Sequence, residues 1–402
     1  MEIGVRLDHP ASYYGENYGE KGKNKDKNYQ QFCSEAVTKA TAIYDGEWKD
    51  FDNRGKSTEE QVNVDMVFFI FAGYGEANGG AESSLWPKES TSSVTINNIC
   101  FSTSACCNEA RMAYSSKAGE WITAPDGIGI MCHELSHALG LPDFYDTNYK
   151  AFGMDIWSLM DYGCHAGNGA CPVAYTAYER DFMGWRPLET LTENGFYTLT
   201  PIAADGIGYK IVNEENPDEY YILENRQRTG WDMSMGSRGH GLQVTHVDFL
   251  ASKWNSNSVN TDINHQRMTI IAANNLYYGT SDPGTDDEEE ATRRILETWA
   301  GNLYPFRSGE MYNDSLTANS VPAATVYTKS GYMNKDINMI RENADLTVSF
   351  YFGNDYRTAV NDLKVESTPV NQRLFDLVGR RVVCDRPRAG LYIVGGRKVL
   401  IR

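Results

Sequence analysis

His133-Glu134-Leu135-Ser136-His137-Ala138-Leu139-Gly140-Leu141-Pro142-Asp143 is the stretch on which the reading of this chain turns. Residues i and i+4 share one face of an α-helix. His133 and His137 can therefore aim two imidazole nitrogens at one point, where a zinc ion would sit. Glu134 can reach a water on that ion. Zinc lowers the pKa of its water to about 7, and a carboxylate beside it can take the proton and later pass it to a leaving amine. Asp126 is expected to cap the helix. Ile128, Met131, Leu135 and Leu139 fall opposite the two histidines and are expected to bury against a core. The plain alternative is two surface histidines on an ordinary helix. The chain has only seven histidines, which gives a pair at this spacing its weight.

The residues that follow extend the pattern. Gly140 lies where a glycine would end the helix. Asp143 takes the place that holds the third ligand, usually a histidine, in the metzincin pattern. Zinc accepts carboxylate oxygen at about 2.0–2.2 Å, so an aspartate there is chemically sound; Asp146 and Glu179 are the alternatives. Trp157-Ser158-Leu159-Met160-Asp161-Tyr162-Gly163 resembles the methionine turn beneath the zinc in metzincins. Met160 would give the site a soft apolar floor. Tyr162 would donate its phenol to a developing oxyanion, or else it only packs.

Several blocks then match one family in order. They are Tyr74-Gly75-Glu76-Ala77 with Leu85-Trp86-Pro87, His133 through Asp146, and Trp157 through Gly163. Ala177-Tyr178-Glu179-Arg180 with Gly184-Trp185 comes next. Glu224-Asn225-Arg226-Gln227, Gly230-Trp231-Asp232 and His240-Gly241-Leu242 follow downstream. Over roughly residues 1–355 the chain resembles the secreted zinc metallopeptidases of the immune inhibitor A type. That resemblance implies a zinc-dependent endopeptidase of metzincin-like architecture, made with a signal peptide and a pro-segment. One stretch departs from the family. Where relatives carry an acidic calcium-type loop, this chain has Asp52-Asn53-Arg54-Gly55-Lys56-Ser57, with two cations where calcium needs oxygen donors. The loop is expected to have lost that ion, and calcium stays open.

Composition agrees with export. The formal charge of −17 over 402 residues argues against a general nucleic-acid binder. No apolar window is long enough to span a membrane. Met1-Glu2-Ile3 does not begin a signal peptide, so the implied signal and pro-segment are expected outside this sequence. A Cys164–Cys171 bridge is one option among the eight cysteines.

The expected fold class is α+β, in three parts. Residues 1–186 form a metzincin-like catalytic domain, with an amphipathic helix around Phe32, Ala36, Val37, Ala40 and Ile43. It also has a buried strand over 64–72 and a helix over 175–183. Residues 187–353 form a β-sandwich-like domain, with strands over 196–199, 220–224, 242–247 and 346–352. The acidic run 286–290 is expected to be a solvated loop. Residues 354–402 are a linker and a short β-module, with a strand pair over 374–383 and a Gly395-Gly396 hairpin over 390–401. This tail resembles a Bacteroidetes C-terminal secretion sorting domain; the alternative is a module that only packs on its neighbour. His240, His246 and His265 are expected to be hydrogen-bonded histidines, with a second metal site at His246, Asp248 and His265 as the lesser option.

Two function classes follow. The first is a secreted or cell-surface zinc endopeptidase acting on protein or peptide substrates. His133, His137 and Asp143 would be its metal ligands, and Glu134 and Tyr162 its catalytic residues. The second is a non-catalytic exported binding protein that keeps a protease-like fold. Loss of Glu134 or of a histidine would favour the second, and none is lost.

Overall fold

The early helical spacing forms the helix Tyr29–Thr41, which buries Tyr29, Phe32, Cys33, Ala36 and Val37; Ile43 falls beyond its end and is exposed. The structure, a computed structural model, describes residues 2–18, 25–115, 117–236, 238–309 and 311–354, together with four short strands near the C-terminus. It is a mixed α and β fold, as expected.

The helix Tyr29–Thr41 packs on a sheet centred on Ser104–Ser115. Val67–Tyr74 lies parallel to that strand on one side. Lys88–Ser90 lies antiparallel on the other, and Glu120–Pro125 continues the sheet as a hairpin partner. The apolar run expected to be a buried strand is Val67–Tyr74, but it is an edge strand. Only Phe71 is fully buried, and Ile70 is 60% exposed. An edge position leaves one flank uncovered, which the run of apolar letters does not reveal.

The helix Gly129–Ala138 departs from its expected orientation. It buries Gly129, Ile130, His133, Glu134 and Ser136, whereas Leu135 and Leu139 are 40% and 48% exposed. The histidine face points inward because the segment after Trp157 lies beneath it. At Gly129 the helix backbone approaches the Cys164 carbonyl so closely that a Cβ would sit 1.8 Å from that oxygen. Asp126 does not cap the helix. Its carboxylate accepts from the side chains of Asn78 and Asn108 instead, and Ile128 holds the cap position with no side-chain bond.

Downstream, five strands form one sheet: Met268–Ile270, Gly241–Asp248, Asn216–Arg226, Tyr209–Asn213 and Glu189–Thr190. Strand alternation sends Tyr221 and Leu223 to one face and Tyr220 and Ile222 to the other. Tyr221, Leu223, Leu242 and Val244 meet Ile337, Val348, Phe350 and Phe352 of a three-stranded sheet. This pair of sheets is the sandwich expected from the sequence. Tyr220, Ile222, Val247 and Met268 pack instead against Phe144, Trp157, Met160 and Tyr178. One hydrophobic core therefore spans the two sides of residue 186.

Two local expectations change. The acidic run is not a loop. Asp287 accepts from the Glu290 amide at 2.8 Å and starts the helix Glu288–Gly301. Carboxylates in a first turn complement the helix dipole. The strand expected from Leu346 begins at Val348, because Leu346 turns with φ +67°. Near the C-terminus, Leu374–Phe375 pairs with Arg381–Val382, and Gly390–Val394 with Arg397–Ile401. The expected linker and the Gly395-Gly396 turn lie outside the described residues. Among the described residues no helix is long and apolar enough to cross a membrane.

Candidate active site

The helix Gly129–Ala138 supplies His133, Glu134 and His137, and its C-terminal turn returns Asp143 to them. Leu139 caps the helix. Gly140 adopts φ +103°, which a side chain would resist. The Gly140 amide donates to His137 O and the Leu141 amide to Ser136 O, at 2.9 and 3.1 Å. These two bonds are the Schellman pairing of a helix end, and they reverse the chain within a few residues. Leu141 O then accepts His137 Nδ1 at 2.8 Å, and Leu159 O accepts His133 Nδ1 at 2.9 Å. With Nδ1–H given to a carbonyl, each ring presents its Nε2 lone pair inward.

Asp143 meets those two nitrogens. Its Oδ1 lies 3.2 Å from His133 Nε2 and 3.1 Å from His137 Nε2, yet it accepts no well-formed hydrogen bond and is buried. Its Oδ2 accepts from Asn257 Nδ2, and its own amide donates to Asn257 Oδ1, both at 2.6 Å. The ligand atoms of His133, His137 and Asp143 lie within 4.8 Å of one another, the one such His/Cys/Asp/Glu group among the described residues. Two imidazoles and a carboxylate are a donor set that fits zinc with an open position. A buried carboxylate oxygen facing two inward lone pairs fits a shared cation. Glu134 stands beside them, and burial pushes its carboxyl up to about 7.

The three side chains open into a cleft of about 610 Å³. Trp86, Glu89, Tyr145 and Trp254 form part of its wall. Tyr162 does not line it. Its ring lies 5.0 Å from that of His165 and 6.4 Å from that of Trp299, and it is 40% exposed. The cleft lining thus does not include the expected phenol. Asp161 accepts from the Tyr162 amide through its own side chain. Tyr145, which the sequence does not single out, lines the cleft. Burial and the nearby Asp143 carboxylate raise its pKa.

Met160 is fully buried, and its carbonyl accepts from the Phe144 amide at 2.8 Å. The turn therefore passes under the site as expected. Both alternative ligands are engaged elsewhere. Asp146 accepts from the amides of Asn148, Lys150 and Ala151. Glu179 accepts from Ser158 Oγ and completes a capping box with Thr176. Arg226, quoted above only as part of a matching block, is fully buried. It makes two bonds of 2.8 Å to Asp232, one of 3.1 Å to Glu224 and one of 3.0 Å to Trp157 O. It thereby fixes the turn from behind.

The remaining expected features resolve simply. His240, His246 and His265 each face a carboxylate, on Glu342, Glu219 and Asp248. Cys164 and Cys171 are free thiols. Arg54 donates from Nε to Asp65 Oδ1 at 2.9 Å and from its terminal nitrogen to Asp65 O at 2.9 Å.

Residues 3–186 match the immune inhibitor A peptidase M6 catalytic domain. Over 196 residues the chain is 28% identical to the pre-pro-metalloprotease PrtV of Vibrio cholerae, covering 43% of this chain and 20% of that protein. Over 147 residues it is 28% identical to immune inhibitor A of Bacillus thuringiensis subsp. alesti, covering 33% of this chain and 20% of that protein. The matched segment thus spans about a fifth of these relatives. The resemblance read from the sequence is matched over residues 3–186.

Proposed function

From the likeness of residues 3–186 to the peptidase M6 catalytic domain, we propose that this chain is a secreted, zinc-dependent endopeptidase that hydrolyses peptide bonds in proteins. The observation that carries this reading is the orphaned Asp143 Oδ1, buried between two imidazoles whose Nδ1 atoms are already committed to carbonyls. His133, His137 and Asp143 would hold the zinc. When bound, zinc supplies a Lewis acid that polarises the scissile carbonyl and acidifies a water.

Glu134 takes a proton from the attacking water and returns it to the leaving amine as the C–N bond breaks. Its burial raises the proton affinity of the carboxylate, which suits a group that takes a proton from water and hands it on. Tyr145, on the cleft wall, would donate its phenol to the developing oxyanion. Asn257 holds Asp143 in register. Arg54 brings a positive charge to Asp65, so the loop of residues 52–57 is read as standing without calcium. The division at 186 and 353, and the sorting role of the C-terminal strands, are part of the same proposal. Export is supported by the pre-pro form named for the Vibrio relative.

Glu134→Ala tests the mechanism. Zinc content is expected to stay at the parent level while casein cleavage falls by about 10²–10⁴-fold. Cleavage at the parent rate would remove Glu134 from the mechanism.

A further inference from the structure

Glu89 stands on the wall of the cleft with a carboxylate oxygen that has no hydrogen-bond partner among the described residues. It lies in the edge strand Lys88–Ser90, which pairs with Ser104–Ser115. Successive side chains of a strand point to opposite faces. Lys88 reaches toward the N-terminal helix, where its Nζ lies 2.5 Å from Asp26 Oδ2 and 4.4 Å from the centre of the Tyr29 ring. Glu89 points to the other face of the strand and lines the same cleft as the three candidate ligands, which Lys88 also borders.

The Oε1 atom of Glu89 is buried and accepts no hydrogen bond among the described residues. Burial disfavours its charged form. A buried acceptor left unmade is costly, and the arrival of a cation offsets that cost. The ammonium on the same strand is already committed to Asp26, so the cation must come from outside the strand. Trp86, Tyr145 and Trp254 line the same cleft as Glu89. Such rings suit the methylene stem and the charged head of a long basic side chain.

We propose that Glu89 is a specificity determinant, and that it selects a lysine or arginine side chain at one position flanking the scissile bond. This rests on the peptidase reading given above. The basic side chain enters the cleft, its head pairs with the Glu89 carboxylate, and its stem lies against the aromatic wall. Neutral side chains at that position leave Oε1 unpaired, and acidic ones meet like charge.

The test uses the zinc-loaded full chain and quenched fluorescent peptides that differ at one residue, with lysine, leucine or glutamate scanned through the positions flanking the cleaved bond. At one position the parent is expected to favour lysine over leucine by roughly tenfold in kcat/KM, the size of effect expected for a partly buried ion pair. Glu89→Gln should collapse that ratio toward one, and Glu89→Lys should shift the preference to glutamate. A parallel arm measures peptide binding by anisotropy in the Glu134→Ala background, where the same ratios are expected without turnover. Whether the parent cleaves any of the peptides, and stops on chelation, tests the peptidase reading separately. A parent ratio near one at every position, or a lysine preference that survives both Glu89 variants, overturns this assignment.

Discussion

At the scale of single residues, the site depends on side chains that no local motif contains. Asn257 makes both hydrogen bonds to Asp143 from 114 positions away in sequence. The partners behind a metal ligand typically contribute about 10–100-fold in metal affinity. Asn257→Ala is therefore expected to weaken zinc binding by about that factor, measured by competition with a chromophoric chelator; an unchanged affinity would mean that Asp143 is held well enough by its own turn. The two tyrosines separate just as cleanly. Tyr145→Phe is expected to lower turnover by about 10²–10³-fold at unchanged zinc content, the usual effect of deleting one oxyanion donor. Tyr162→Phe should leave turnover near the parent rate, since its ring sits by His165 and Trp299. The reverse ranking of the two variants would restore the role that the sequence suggested for Tyr162.

At the scale of elements, what could be read ahead of the structure was what is local. The i, i+4 histidines, the glycine that ends their helix and the aspartate beyond it all depend on contacts within a few residues. The helix Gly129–Ala138, with Gly140 at φ +103°, follows that reading. The side of the helix that is buried depends on what lies beneath it, and here the apolar spacing misled. Polar ligands occupy the inward face, and Leu135 and Leu139 remain outside. The acidic run 286–290 misled for a related reason. Its carboxylates begin a helix whose C-terminal part, around Thr298 and Trp299, is buried. The inverted helix makes a direct prediction. Leu139→Lys should change stability by no more than about 0.5 kcal/mol, as at an ordinary surface position. Ile130→Ala, on the buried face, should cost about 2–5 kcal/mol. Denaturant titrations that rank the two in the opposite order would contradict the burial described here.

At the scale of the whole molecule, the five-stranded sheet does two jobs. One face closes the sandwich core, and the other carries Tyr220, Ile222 and Val247 into the core beneath the site. Arg226 extends from that sheet to Asp232, Glu224 and the Trp157 carbonyl, and Asn257 follows the helix Ala251–Asn255 to reach Asp143. The segment that matches the family model is thus held by residues well outside residues 3–186. Long-range pairings of this kind leave no periodic trace in a sequence, which is why Arg226 was legible only as part of a matching block and Asn257 not at all. The measurement that bears most directly on the central claim is a chelator titration of the purified full chain, with zinc content and casein cleavage read on the same samples. The account predicts about one zinc per chain, cleavage that falls in proportion to the zinc removed, and recovery when zinc is returned. Cleavage that persists undiminished in the zinc-free chain would contradict it.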